Sequence, residues 1–165
     1  ISNNYGKILK LERYMGFEPT VAGNGAKSEK PEEPSDQNSG ADDETLQYNT
    51  AKKLFDEGDH ENARIQFENF INKYPDSDNA DNARFWIADS YYVEKWYDKA
   101  ILEYQKVLET YPGSNKLAAA RLKQGYAFAE LGETANARLI LKVLLQKHPD
   151  SDEARFAQEK LKTLQ

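Results

Sequence analysis

The sequence predicts an all-α protein in which three helix pairs and a C-terminal capping helix form an α-solenoid, preceded by a short helix and a disordered linker. The main observation is an internal repeat with a period of 37 residues. Four sets of residues keep this spacing: Pro75, Pro112 and Pro149; Ala63, Ala100 and Ala137; Ser77, Ser114 and Ser151; and Ala83, Ala120 and Ala157. Within each unit, apolar residues also recur with the period of an amphipathic helix.

Residues 1–15 have the spacing of a coiled coil. Ile1, Ile8 and Met15 are seven residues apart, and Leu11 follows Ile8 by three. A helix of two heptads is only marginally stable in water by itself. Two interpretations stay open for this segment: the end of a longer coiled coil, or a short amphipathic helix that frays.

Residues 16–43 form the predicted linker. This stretch contains three prolines, four glycines, and seven acidic residues against two lysines. Its only sizeable apolar side chains are those of Phe17 and Val21, so it cannot bury enough apolar surface to offset the entropy lost on ordering. We expect a flexible acidic tether that lets the flanking segments move independently.

The domain 44–165 contains the repeats, and its helices are recognised by their apolar faces. The second helix of each pair carries Ala63, Phe67, Phe70, Ile71 and Tyr74; Ala100, Tyr104, Val107, Leu108 and Tyr111; and Ala137, Leu141, Leu144, Leu145 and His148. The first helix carries Ala51, Leu54 and Phe55; Ile87, Ala88, Tyr91 and Tyr92; and Gly125, Tyr126 and Phe128. The small residues at 51, 88 and 125 are expected opposite those at 63, 100 and 137, so that paired helices approach closely.

Proline, serine and glycine predict the helix boundaries. Each second helix must stop at its proline, which lacks the backbone donor that a helix interior needs. The next helix is predicted to begin at a capping residue: Ser77 or Asp78, Ser114 or Asn115, and Ser151 or Asp152. The repeats are thus about 44–77, 78–114 and 115–151, with a capping helix at 152–164. Gly58 and Gly132 are expected where the two helices of a pair are joined.

Composition disfavours several classes of function. The formal net charge is −6, whereas nucleic-acid-binding proteins usually present a basic face. The chain has no cysteine for thiol chemistry and no run of 18 apolar residues that could cross a membrane. His60 and His148 are distant in sequence, and no phosphate-binding loop, HExxH motif or nucleophile elbow occurs. We expect a protein that is not an enzyme and that uses neither a cofactor nor a metal.

Residues 44 to about 150 resemble the tetratricopeptide repeat family. The second unit carries the resemblance best, through Ile87, Ala88, Tyr91, Tyr97, Ala100, Tyr104, Val107, Leu108 and Pro112. Three features depart from the family pattern. The period is 37 and not 34, Lys95 stands at the usual turn glycine, and Gln47, Arg84 and Arg121 stand at the usual tryptophan.

The phrases YPDSDNADNARFWIADSYY, YPGSNKLAAARLKQGYAFAELG and HPDSDEARFAQEKLKTL resemble one branch, the Tol-Pal system cell division coordinator family. This resemblance implies a periplasmic protein, made with a signal peptide, that forms a homotrimer through an N-terminal coiled coil. It also implies an adaptor that binds periplasmic TolA and coordinates the peptidoglycan synthesis machinery with outer-membrane constriction during cell division. A competing resemblance is to the lipoprotein component of the outer-membrane β-barrel assembly machinery. A third hypothesis is an oligomeric structural spacer.

The family resemblance further implies a concave groove lined by the first helix of each pair. The groove residues projected onto this chain are Tyr48, Lys52 and Phe55; Phe85, Asp89 and Tyr92; and Leu122 and Tyr126. Trp86 and Trp96 are two further candidates, because tryptophan is enriched at the residues that contribute most to protein binding. For each of these residues, a role in packing is the competing interpretation.

Overall fold

The computed structural model describes residues 39–164, and within this range every regular element is an α-helix. The helices are α1 (Ser39–Asp56), α2 (His60–Lys73), α3 (Ala80–Val93), α4 (Tyr97–Thr110), α5 (Leu117–Glu130), α6 (Thr134–Lys147) and α7 (Asp152–Thr163). This order confirms the predicted all-α solenoid of three helix pairs followed by a capping helix. The predicted coiled-coil segment at 1–15 and the linker up to residue 38 lie outside the described residues.

Helix α1 begins earlier than the sequence predicted. It starts at Ser39, so residues 39–43, which composition assigned to the linker, are helical. Asp43 accepts hydrogen bonds from the side chains of Lys73 and Tyr74 at the end of α2, and these bonds lower the pKa of its carboxyl group. Acidic residues are also favourable in the first turns of a helix, where backbone N–H groups are free. The acidic residues Asp42 and Asp43, which were assigned to the flexible tether, are therefore compatible with the start of a helix.

The seven helices form two layers. Each helix packs against its neighbours in the chain, and in addition α1 contacts α3, α3 contacts α5 and α5 contacts α7. The first helices of the pairs therefore lie side by side in one layer, and the second helices α2, α4 and α6 form the other. Stacking of this kind buries a continuous core between successive repeats.

Small residues hold the layers together, as the sequence predicted. Ala51 and Ala63 are fully buried where α1 meets α2, and Ala88 and Ala100 are fully buried where α3 meets α4. The third pair has Gly125 at the equivalent position of α5. A Cβ atom added to Gly125 would lie 2.7 Å from Cδ2 of Leu141, so only glycine fits without a shift of that buried side chain.

The turns between paired helices share one backbone conformation. Gly58 and Gly132 have φ angles of 85° and 75°, which confirms their predicted role, and Lys95 adopts the same left-handed conformation with φ 64°. After each of these residues, the next backbone N–H closes the helix by donating to a carbonyl five residues earlier. The repeat geometry therefore forces a lysine into a conformation that glycine occupies in the other two turns.

The predicted starts of α3 and α5 were too early. These helices begin at Ala80 and Leu117, after a turn in which Ser77 and Ser114 each accept a hydrogen bond from the backbone N–H two residues later. The hydroxyl group of each serine donates to a carboxylate of the preceding first helix: Ser77 to Glu44, and Ser114 to Asp81. In α5, the position equivalent to Glu44 and Asp81 is occupied by Ala118, which has no carboxylate. The third serine, Ser151, caps α7 directly by accepting a hydrogen bond from the Ala154 N–H.

Candidate protein-binding groove

The first helices α1, α3 and α5 place residues that are 37 positions apart in columns across their layer. The eight predicted groove residues fall into three columns: Tyr48, Phe85 and Leu122; Lys52, Asp89 and Tyr126; and Phe55 and Tyr92. A fourth column consists of Trp86, Lys123 and Lys160, the last of which lies on α7. We refer to these four columns as the groove.

The first part of the groove is an aromatic cluster between α1 and α3. The indole N–H of Trp86 donates a 3.1 Å hydrogen bond to the hydroxyl oxygen of Tyr48. The ring centroids of Trp86 and Phe55 are 4.9 Å apart, and the Lys52 ammonium group lies 4.5 Å from the Trp86 ring centroid. All four side chains are half-buried. Their neighbours fix them in place while part of each remains open to a partner.

The second part lies between α3 and α5 and is built on a buried carboxylate. Asp89 is only 8% exposed; its Oδ1 accepts a 2.8 Å hydrogen bond from the Tyr104 hydroxyl and lies 3.0 Å from the Lys123 ammonium group. A buried carboxylate requires such partners, because an unpaired one would be strongly destabilising. The same ammonium group lies 4.9 Å from the ring centroid of Tyr92.

The phenol groups of this region stay protonated. Burial, together with the nearby negative charge of Glu130, raises the pKa of Tyr92 to about 12. Burial likewise raises the pKa of Tyr104 far above its ordinary value, and the adjacent Asp89 carboxylate adds to the shift. Both hydroxyl groups are therefore hydrogen-bond donors throughout the physiological pH range.

The third part extends the groove onto the capping helix. The Lys160 ammonium group of α7 lies 5.6 Å from the ring centroid of Tyr126 on α5. On the same helix, Phe156 is 58% exposed, which is unusual for a phenylalanine in a packed repeat. The groove therefore ends at the Tyr126 ring and Lys160, and Phe156 lies one helical turn before Lys160 on α7.

Accessibility divides the predicted groove residues into two groups. Phe85 and Leu122 are 7% and 8% exposed, and the Phe85 ring packs against both Trp86 and Tyr104 at centroid distances of 5.6 and 5.7 Å. These two residues and Asp89, which is 8% exposed, form the buried floor of the groove. The more accessible predicted residues are Tyr48, Lys52, Phe55, Tyr92 and Tyr126.

Two groove lysines were missed by sequence reasoning. Lys123 and Lys160 follow Trp86 at the repeat interval, and both lie over an aromatic ring of the preceding first helix, as Trp86 does. The column was not evident because its members differ in residue type. Inspection of the residues 37 positions before and after each candidate, whatever their type, would have identified both lysines.

Trp96 is not part of the groove. It is the residue before α4, and its ring stacks on Tyr91 at the end of α3, with a centroid distance of 6.2 Å and an interplanar angle of 27°. Its nearest cation is Lys99 on α4, a helix of the other layer. The two tryptophans predicted as binding residues therefore lie on different surfaces.

Metal-ligand clusters and membrane-spanning helices are both absent from the part of the chain that the structure describes. No group of three or more His, Cys, Asp or Glu side chains within residues 39–164 is placed to hold a metal ion. None of the helices in this part of the chain is both long and apolar enough to cross a membrane. His148 is the C-cap residue of α6, where its Nε2 lies 3.2 Å from Nη1 of Arg121.

Solved structures show that this arrangement is a tetratricopeptide repeat fold. The first tetratricopeptide domain of Spaghetti (RPAP3), bound to the HSP90 peptide SRMEEVD, is 16% identical, with a TM-score of 0.60 over 73% of this chain and 89% of that one. The Arabidopsis OM64 domain is 14% identical, with a TM-score of 0.60 over 73% and 94% of the two chains. The second domain of human RPAP3, in complex with the HSP70 peptide SGPTIEEVD, is 18% identical, with a TM-score of 0.57 over 72% and 98%. At these identities the similarity establishes the fold.

The sequence also matches a protein family. Residues 40–165 match the family YfiO, described as outer membrane lipoprotein. Because the match covers most of the chain, the protein belongs to this family of outer membrane lipoproteins. A comparison with curated proteins finds no match. The fold and the family together define a tetratricopeptide repeat domain of a family of outer membrane lipoproteins.

Proposed function

We propose that this protein is a periplasmic adaptor whose groove binds a linear segment of a partner protein. The observation that carries the proposal is the continuous row of partly exposed aromatic rings and lysines on three first helices and α7. Aromatic side chains in fixed positions offer large contact areas at a small cost in conformational entropy. A groove of this kind suits an extended peptide or one amphipathic helix.

The charges of the groove favour a segment with acidic residues. Lys52 and Lys123 are each paired with a carboxylate of the chain, Asp56 and Asp89 respectively. Lys160 takes part in no ion pair among the described residues, and Lys116, which lies 5.8 Å from the Phe85 ring centroid, has none there either. The peptides bound by the two RPAP3 domains, SRMEEVD and SGPTIEEVD, contain acidic residues too. This parallel supports the proposal through shared chemistry.

Within the cell envelope, we propose the Tol-Pal system as the setting, with periplasmic TolA as the partner. The support is the sequence resemblance of the repeats to the Tol-Pal cell division coordinator family and the acidic stretch that precedes them. In this role the adaptor would couple the peptidoglycan synthesis machinery to outer-membrane constriction. The heptad spacing at residues 1–15 would supply the homotrimer.

A second candidate is the lipoprotein component of the outer-membrane β-barrel assembly machinery. The observation that favours it is the match of residues 40–165 to a family of outer membrane lipoproteins. In this role the same groove would bind another subunit of that machinery. An oligomeric spacer, whose active part would be residues 1–15, is the third possibility.

The candidates are separated by calorimetric titration of the full chain with the purified periplasmic part of TolA and, in parallel, with the purified β-barrel assembly machinery. The groove variant is Lys52→Gln combined with Tyr126→Ala, and the control is Leu139→Ala, a half-exposed apolar residue of the other layer. We expect TolA to bind, the groove variant to weaken binding at least about tenfold, corresponding to about 1.4 kcal/mol, and the control to leave it unchanged.

Each other outcome selects an alternative. Binding to the assembly machinery without binding to TolA would replace the first candidate with the second. Binding to neither, combined with a trimer that dissociates when residues 1–15 are deleted, would establish the spacer and overturn the adaptor proposal.

A further inference from the structure

The turn between α3 and α4 departs from the other two turns at adjacent positions. The equivalent residues are Gly58-Asp59 in the first repeat and Gly132-Glu133 in the third, whereas the second repeat has Lys95-Trp96. Lys95 adopts a left-handed conformation with φ 64°. Asp59 caps α2 through the Asn62 N–H, whereas neither Trp96 nor Glu133 makes a side-chain cap, and Trp96 alone of the three is not an acidic residue. Both choices are unfavourable for local structure.

Burial does not compensate for these choices. Trp96 remains 48% exposed, and Val93 at the end of α3 is 50% exposed. A tryptophan selected for packing alone would be expected to bury most of its ring. Residues that break a local structural rule without a gain in packing are characteristic of functional sites.

The exposed indole is held in a layered arrangement of rings and cations. One face of the Tyr91 ring is covered by the Arg64 guanidinium group, 4.4 Å from the ring centroid, and Trp96 stacks on Tyr91. The Lys99 ammonium group lies 4.0 Å from the Trp96 ring centroid. We call the surface formed by Arg64, Tyr91, Lys95, Trp96 and Lys99 the Trp96 edge.

The Trp96 edge carries a local excess of positive charge on a chain whose formal net charge is −6. Arg64 is ion-paired with Glu94, and Asp98 is the other carboxylate next to the edge in sequence. Among the described residues, Lys95 and Lys99 take part in no ion pair, and the Trp96 indole N–H has no hydrogen-bond acceptor. Two cations, one N–H donor and an exposed aromatic ring are therefore available to a ligand.

We propose that the Trp96 edge is a second docking site, which binds an acidic linear segment of a partner protein. An apolar side chain of the segment would lie against Trp96 and Val93, and its carboxylates would contact Lys95, Lys99 and the indole N–H. The site is separate from the groove, because Arg64 and Lys99 belong to α2 and α4, the layer of second helices. It would let the protein hold two partners at once.

The test uses the full chain and a random dodecapeptide library displayed on phage. Enriched peptides are synthesised with a fluorescent label, and their affinity is measured by fluorescence polarisation. Two variants remove the site: Lys99→Gln, which keeps the long stem but not the charge, and Lys95→Gly combined with Trp96→Asp, which installs the Gly-Asp turn of the first repeat. Leu139→Asp is the control, because Leu139 is 50% exposed in the same layer. Thermal melting of each variant verifies folding.

We expect peptides rich in Asp and Glu around one apolar residue. Their affinity should fall at least about tenfold in the double variant and about threefold in Lys99→Gln, with no change in Leu139→Asp. If no enriched peptide lost affinity in the double variant, the proposal would be overturned, as it would be by a library without enriched peptides. Competition by a peptide of residues 28–43 alone, with no library peptide bound, would also overturn it, since the occupant would then be the chain's own acidic segment.

Discussion

Lys95 shows how the repeat overrides the preference of one residue. Its neighbours in the chain close the turn with the same backbone hydrogen bonds that surround Gly58 and Gly132, so the lysine is held at positive φ by the helices on both sides. An L-residue in this region costs on the order of 1 kcal/mol relative to glycine. In the sequence, Lys95 is visible only as a departure from glycine at this turn position. The backbone of the structure shows that the left-handed conformation is retained there.

Lys95→Gly should therefore raise the free energy of unfolding by about 0.5–1 kcal/mol, since relief of strain exceeds the extra entropy of the unfolded chain. Urea denaturation measures the change. Lys142→Gly is the control, because Lys142 is an exposed residue in the interior of α6, where glycine should destabilise. Equal effects of the two substitutions would contradict the assignment of strain to Lys95.

His148 gives the domain a pH dependence in the neutral range. Burial and the positive charge of Arg121 lower the pKa of His148 below its usual 6.5. The unfolded chain therefore binds a proton at this histidine more readily than the folded chain does. The contribution of neutral His148 to the free energy of unfolding is complete above pH 6.5, and it is lost as the pH falls from 6.5 through the lowered pKa of the folded state. Carboxylates with lowered pKa values, such as that of Asp43, change the free energy of unfolding at a lower pH than His148 does.

Stability should thus decrease between about pH 7 and pH 5, before carboxylates titrate. His148→Tyr introduces the residue found at the equivalent positions 74 and 111, and it should flatten this decrease. Urea midpoints measured at both pH values for the original chain and the variant give the comparison. An unchanged decrease in the variant would mean that another group is responsible.

At the scale of helices, the contact between α5 and α6 depends on the absence of a side chain. Gly125 lies in the middle of α5, where glycine by itself lowers helix stability by about 1 kcal/mol relative to alanine. It is retained there because Leu141 fills the space that a Cβ atom would occupy. The first and second pairs have Ala51 and Ala88 at this position.

Gly125→Ala should lower the free energy of unfolding by about 1 kcal/mol, because an overpacking cost of about 1–3 kcal/mol exceeds the gain in helix propensity. Leu141→Val, which vacates part of the space, should also destabilise when made alone. The double variant should be more stable than the sum of the two effects predicts, and a double-mutant cycle by urea denaturation measures this coupling. Additive effects would show that the two side chains do not compete for space.

Capping residues in the sequence do not always predict the residue at which a helix begins. Ser77 and Ser114 are good helix caps by residue type, yet they precede α3 and α5 by a turn because Glu44 and Asp81 accept their hydroxyl protons. Nothing local distinguishes them from Ser151, which does cap a helix. The difference is set by a residue 33 positions earlier, and local sequence patterns do not report such contacts.

At the scale of the whole molecule, the ends of the solenoid differ from its middle. Ala83, Ile87 and Ser90 of α3 are buried against the preceding pair, whereas the equivalent residues of α1 are exposed: Leu46, Thr50 and Lys53. Two of these three are polar, as expected for the outer face of a terminal repeat. Among residues 39–164, a helix in the middle has neighbours on both sides, and α1 and α7 have them on one side only.

Hydrogen exchange should consequently be slowest in α3, α4 and α5 and fastest in α1 and α7. In a linear array, stability is a sum of repeat and neighbour terms, so terminal units open more often. Mass spectrometry of exchanging peptides gives the protection of each helix. Uniform protection from α1 to α7 would indicate that the domain opens only as one cooperative unit.

The sequence by itself determined the number of helix pairs, their order, the turn glycines and the close contacts of small residues. These features follow from helical periodicity and from identical residues at a fixed interval, and both are visible in a single chain. The tertiary structure decided which candidate binding residues share a surface. It placed Trp86 in the groove and Trp96 in a separate edge, added Lys123 and Lys160, and buried Phe85 and Leu122. These outcomes depend on contacts between unlike residues on different helices, and a repeat period carries no information about them.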